Sequence, residues 1–265
     1  MQRRWEIAAV IAVSAVTATA IPHAIKDEAG AARVRRRLYA AIQPVHVANC
    51  ELARVGAAND GGYLVCANLL GGATSAYSYG IEGRDEWGCQ ISHELAVPVH
   101  EYDCFDLRRP ACPNGRLIFH PECVGPRQSI QDGRSFDSIA GQLARNGDSR
   151  KRLVVKIDVE GAEWDSFLAT PDNVFSRIDQ LIVEFHGIDE ERYVRTIVRL
   201  KRHFVFAHIH YNNGGCKPGI EPFPSWVFEA LLVNRRLAQT DGTPAPRSPL
   251  PNLDAPNGPN MPDCQ

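Results

Sequence analysis

The stretch that most constrains the fold is Leu153-Val-Val-Lys-Ile-Asp-Val-Glu-Gly-Ala-Glu-Trp164. Its first half is a short apolar run rich in β-branched residues, the composition of a buried strand. Gly161 stops that run, and Ala162 to Leu168 opens a helix. Similar runs lie on both sides, at Ala76–Ile81, Val97–Asp103, Arg116–His120, Gln180–Phe185, Phe204–Tyr211 and Trp226–Val233. Helical spacing separates several of them: Asp85–Leu95 carries Trp87, Ile91 and Leu95 on one face, Ser135–Leu143 has Asp137 or Ser135 as its cap, and Asp189–His203 is amphipathic. Alternating strands and helices predict an α/β fold with a mostly parallel sheet and helices on both faces. In such sheets ligands bind beyond the carboxyl ends of strands, where Asp158 and Glu160 fall. The competing reading is that Asp158 only caps the helix that follows.

The segment Lys156-Ile-Asp-Val-Glu-Gly-Ala-Glu-Trp164 resembles the signature of the FkbM-type methyltransferases, a branch of the class I S-adenosylmethionine (SAM) dependent enzymes that includes the methyltransferase-like 24 group. Asp60-Gly-Gly-Tyr-Leu-Val-Cys66 is similar to that group's Asp-Gly-Gly entry motif, and Leu181-Ile-Val-Glu-Phe-His186 resembles the strand after the signature. The resemblance spans roughly Cys50 to Asn234. It implies a class I, Rossmann-like fold, SAM as cofactor, and a hydroxyl of a glycan or small metabolite as methyl acceptor. It also places the loop of Asp60 near the cofactor, and Glu122 and Cys123 near the adenine.

Read residue by residue, Gly80-Ile-Glu-Gly83 is the loop where backbone passes close to a cofactor, with Gly80, Glu82 and Gly83 as contacts. Tyr79 stands where many class I members have Asp, and Glu82 is the candidate substitute. A carboxylate at the end of the second strand suits a ribose diol, with Asp103 first and Glu101 second. Asp158, Glu160, Glu184 and His186 all fall at the ends of neighbouring strands. His186 is the candidate base because its ordinary pKa is nearest neutrality, and Glu160 is the next. Lys156 is expected to pair with Asp158 or Glu184, either structurally or in catalysis.

Two other functions compete. Asp158, Glu160, His186, His208 and His210 are ligand types that suit a divalent ion, although no compact ligand motif supports them. A noncatalytic domain that keeps the fold without the cofactor is the third reading, favoured by the weak glycine loop.

With 29 basic and 31 acidic residues among 265, and no basic face interleaved with aromatics, nothing points to nucleic acid. Arg3 and Arg4 precede an apolar run from Ile7 to Ile21, the pattern of a secretory signal or a signal anchor over residues 1–24. As a helix that run reaches only about 23 Å against a hydrocarbon core of about 30 Å. An uncleaved anchor is the chain's route to a membrane, and the basic residues after the run (Lys26, Arg33, Arg35, Arg36 and Arg37) would leave the domain facing the cytosol. Eight cysteines without a Cys-x-x-Cys pair favour a disulfide framework and a secretory lumen or secretion. Cys50 with Cys66 and a pairing among Cys104, Cys112 and Cys123 are the expected bridges. Residues 25–49 read as a solvated connecting helix, 50–236 as the catalytic domain, and 237–265 as a disordered proline-rich tail.

Overall fold

The computed structural model describes residues 28–264, so the expected signal segment at 1–24 lies outside the described residues. Six helices and twelve strands follow in the order α1 (Glu28–Ile42), β1 (Leu52–Gly56), β2 (Gly62–Cys66), β3 (Ser75–Tyr79), α2 (Glu86–Leu95), β4 (Val99–Tyr102), β5 (Leu117–His120), β6 (Cys123–Val124), β7 (Ser129–Gln131), β8 (Arg134–Asp137), α3 (Ile139–Arg145), β9 (Leu153–Asp158), α4 (Glu163–Ala169), α5 (Asp172–Phe175), β10 (Ile178–His186), α6 (Glu191–Leu200), β11 (Phe204–Tyr211) and β12 (Val227–Asn234).

Seven strands form the central sheet in the order β11-β12-β10-β9-β3-β4-β5. β3, β4, β5, β9 and β10 run parallel, and β12 is antiparallel to both β10 and β11. The result is a mixed α/β fold with a mostly parallel sheet, compatible with a Rossmann-like architecture. The chain builds outward from β3 through β4 to β5, then returns to lay β9 on the other side of β3. That reversal is a topological switch point, where strand ends splay and a crevice opens.

The sheet is apolar on both faces, as the β-branched runs require. One face carries Tyr77, Val155, Ile157, Val183, Phe185 and Phe228, packed under helices with Trp164, Phe167 and Ile197. The other carries Ala76, Val154, Ile182, Leu231 and Val233, and is covered by Trp87 and Ile91 of α2 together with Tyr63 and Val65 of the β1–β2 hairpin. Asp85 caps α2 by accepting from the Gly88 N–H.

Three sequence expectations change. The helix expected over Ser135–Leu143 starts later. Ser135 and Phe136 pair with β7 instead, and Ser138 is the cap, accepting from the Gly141 N–H. The arginine-rich segment is not a free connector, because Leu38 and Ile42 of α1 are fully buried and Arg37 pairs with Glu191 of α6. All eight cysteines are paired as Cys50–Cys66, Cys89–Cys112, Cys104–Cys123 and Cys216–Cys264. Cys50–Cys66 and a pairing among Cys104, Cys112 and Cys123 are as expected, and Cys112 joins Cys89 of α2. Four disulfides are compatible with an oxidising, lumenal or secreted setting. Among the described residues, no helix is long and apolar enough to cross a membrane.

The largest change is the tail. It lacks apolar periodicity, yet it folds back over the sheet on polar pairs and a disulfide. Asp254 meets the buried His208 at 2.8 Å, Asn257 donates to Glu229 at 2.7 Å, and Cys264 is bonded to Cys216. Burial alone would raise the Asp254 carboxyl, but His208 and the Leu250 N–H outweigh burial and hold it below the ordinary carboxylate range. A group depressed in this way stabilises the fold above its unfolded pKa of about 3.9, and the contribution fades as pH falls through the folded value. Asp254→Ala is therefore expected to cost about 1.5–3 kcal/mol in urea unfolding at pH 6. The gap between variant and parent should narrow below about pH 4.

Candidate active site

A cavity of about 560 Å³ opens at the carboxyl ends of β3, β4, β9 and β10, at the switch point, within the usual size of a small-molecule site. Gly80 and Asp158, both in its lining, mark the contact between the ends of β3 and β9. Gly80 leaves β3 with φ +71°, and a Cβ there would lie 1.6 Å from the Asp158 carbonyl oxygen. Only glycine allows the two strand ends to close in this way.

One end of the cavity is lined by Ile81, Glu82, Tyr102, Asp103, Phe105, Val124 and Phe136. Asp103 organises it. One carboxylate oxygen accepts from the Ile81 and Glu82 N–H groups at 3.1 and 2.9 Å, the other from Phe105 and Asp106 at 2.8 and 3.0 Å. Its acceptor capacity is spent on backbone, so Asp103 shapes the loop after β3 rather than standing free for a ligand. Glu101, the second choice, points away from the cavity and lies fully buried beside Asp85. Burial, then the Asp85 charge, pushes its carboxyl up to about 9.

The other end gathers Lys156, Asp158, Glu160, Glu184 and His186. The Lys156 ammonium is buried and donates to the Gly80 carbonyl at 2.6 Å, with Asp158 3.7 Å away, so the expected pairing with Asp158 is the weaker of its contacts. Tyr63 of the hairpin donates to Asp158 Oδ2 at 2.8 Å, which leaves Oδ1 facing His186 Nε2 at 4.0 Å. Glu160 stands at φ +54°, its side chain largely exposed, with Oε2 3.4 Å from the same nitrogen. Partial burial raises the Glu160 carboxyl, against the pull of His186 and with Asp158 adding to the rise.

Glu163 locks this corner. It is fully buried and accepts the His186 N–H at 2.7 Å and the Gly161 N–H at 2.8 Å, while its Oε1 lies 3.6 Å from His186 Nδ1. Trp164 Nε1 donates to the His186 carbonyl at 2.7 Å. Burial works to lower the His186 pKa, but Glu163, then Glu160 and Asp158, outweigh it and leave the imidazole above its ordinary value.

Beyond this corner, Asp158, Glu184, Glu229 and His210 occupy neighbouring register positions on β9, β10, β12 and β11. Burial, then the charges of Asp158 and Glu229, raise the Glu184 carboxyl well above the usual range. Side-chain amides soften the repulsion: Asn212 donates to Glu184 at 2.5 Å, and Asn257 to Glu229. Asp60 reaches the same wall through Asn257 at 3.4 Å.

Of the residues expected at the site, Asp60, Gly80, Glu82, Asp103, Lys156, Asp158, Glu160, Glu184 and His186 all line the cavity, as does Cys123. Gly83 and Glu122 do not. Gly83 abuts Arg108, and Glu122 is paired with Arg145. His208 and His210 face the tail and Glu229 instead of joining Asp158 and Glu160, because both sit on β11 at the far edge of the sheet. Sequence reasoning missed Glu163, Glu229, Asn212 and Asn257. A lone carboxylate inside the apolar run Val227–Asn234 was the available signal for Glu229.

The contact of Gly80 with Asp158 is sterically demanding. Gly80→Ala should cost about 1–3 kcal/mol through the positive φ alone, with the clash on Asp158 added, and denaturant unfolding reads the loss. No protein-family model and no curated protein matches this chain, and its geometry is what speaks to its chemistry.

Proposed function

We propose that this chain is a class I, Rossmann-like methyltransferase that uses SAM to methylate a hydroxyl of a glycan or small metabolite. The observation that carries the reading is one cavity at the switch point with two chemically different ends. A backbone loop with aromatic neighbours, Tyr102, Phe105 and Phe136, suits an adenosine. A wall of carboxylates and a histidine suits a polar acceptor and its proton. The signature from Lys156 to Trp164 supplies Lys156, Asp158 and Glu160 to the second end, and β10 adds Glu184 and His186.

The residues present fit the cofactor. The loop from Gly80 to Glu82 offers close backbone approach, and Asp60, Glu82 and Asp158 offer carboxylates to hydroxyl and ammonium groups. Asp103 contributes by holding that loop in shape through its four backbone bonds. SAM supplies a methyl group on a positively charged sulfur, already activated for displacement. What the chain must add is alignment, shelter from water, and a place for the acceptor's proton. Alignment is the larger contribution in such a displacement, and proton removal typically adds about 100- to 10,000-fold. Asp158, Glu160 and His186 stand together where that proton would leave.

Calorimetric titration of SAM into the folded chain tests the reading. Saturable heat at one site per chain is expected, with loss in Asp103→Ala because the loop is released. A folded parent that gives no heat contradicts the proposal and favours the noncatalytic reading.

A further inference from the structure

His186 has a side chain only 7% exposed, and its Nδ1 makes no hydrogen bond. That nitrogen faces the buried Glu163 carboxylate at 3.6 Å, which holds the ring with its other edge toward Asp158 and Glu160. Its other nitrogen, Nε2, faces Glu160 Oε2 at 3.4 Å and Asp158 Oδ1 at 4.0 Å, and one ligand atom from each of the three residues lies within 4.8 Å of the others. Two atoms that share a cation about 2.1 Å from each are separated by about 3–4.2 Å, so these spacings leave room for an ion between them.

Two of the three groups have neighbours on their remaining atoms. Glu163 lies on the Nδ1 side of His186, the carboxylate arrangement that orients a ligating imidazole. Tyr63 and Lys156 lie on the Oδ2 side of Asp158, which frees Oδ1 for the centre. All three groups line the cavity, so a bound ion would keep open positions for an acceptor. Asp158 also lies beside Glu184 in the sheet register, and Glu184 opposite Glu229, so further carboxylates adjoin the three groups. The other cluster of ligand types, Cys89, His93 and Cys112, is excluded because its two sulfurs are joined in a disulfide.

We infer that Asp158, Glu160 and His186 form a divalent-cation site, with Glu163 and Tyr63 as positioning residues. Two carboxylates and one imidazole suit Mn²⁺ or a similar oxygen- and nitrogen-preferring ion. The existence of the site does not depend on the methyl-transfer reading; its role does. With that reading, Asp158, Glu160 and His186 would hold the ion, which would supply Lewis acidity to the acceptor hydroxyl and ease the loss of its proton.

The test is titration of Mn²⁺ alone into the full chain, with no SAM present, followed by loss of the free-ion electron paramagnetic resonance signal. One Mn²⁺ per chain is expected. Glu160→Gln should weaken binding at least about 10-fold while leaving the fold intact, since that side chain is 75% exposed. Glu163→Gln should weaken it about 10- to 100-fold without removing a ligand. His186→Gln should abolish it. No binding by a folded parent, or binding unchanged in both Glu160→Gln and His186→Gln, overturns the inference. SAM calorimetry without metal reads the methyltransferase proposal separately, so the two can fail independently.

Discussion

The buried ammonium of Lys156 is the contact on which the site depends. A charge that is 5% exposed in the protein interior needs partners, and it finds them in the Gly80 carbonyl, the Asp158 carboxylate and the face of the Tyr63 ring at 5.5 Å. Those three belong to β3, β9 and the β1–β2 hairpin. One side chain therefore ties the first loop, the signature strand and the cover of the sheet into a single corner. Gly80 makes this possible by admitting the Asp158 carbonyl where any side chain would stand. Asp103 completes the frame from the far side by gathering four backbone N–H groups. The rigidity of the cavity wall comes from these polar ties as much as from the apolar core beneath.

The same corner concentrates negative charge. Parallel pairing puts Asp158 beside Glu184, and antiparallel pairing puts Glu184 opposite Glu229. Like charges at opposed positions are unfavourable, and the chain answers with Asn212, Asn257, Tyr63 and His210 rather than with apolar packing. An apolar replacement would be more stable. The carboxylates of Asp158, Glu160 and Glu184 around one cavity are consistent with a site built to handle protons and polar acceptors, and with a cation among Asp158, Glu160 and His186.

Much of this was legible in the sequence. The strand runs are long, β-branched and regularly spaced, so their order and the acids at their ends could be read directly, and Cys50 and Cys66 are bridged as expected. What could not be read depends on register and on distant chain. Glu229 comes beside Glu184 because β12 runs antiparallel to β10, and Asn257 reaches the site because the tail folds back over the sheet. The tail looks disordered because it docks through Asp254, Asn257 and Cys264, single polar or covalent ties that leave no periodic trace. Asp103 lines the cavity as expected, and the four backbone N–H groups it gathers leave no mark in the sequence. Glu163 reads as an ordinary first-turn helix acid, yet its bonds to His186 and Gly161 make it the lock of the corner.

The most direct test of the two-ended cavity is a crystal structure of the chain grown with S-adenosylhomocysteine, the demethylated form of the proposed cofactor. The account predicts nucleoside density against the Gly80–Glu82 loop and Tyr102, with its sulfur directed toward Asp158 and His186. Nucleoside bound elsewhere, or no nucleoside in a crystal soaked to saturation, would contradict it.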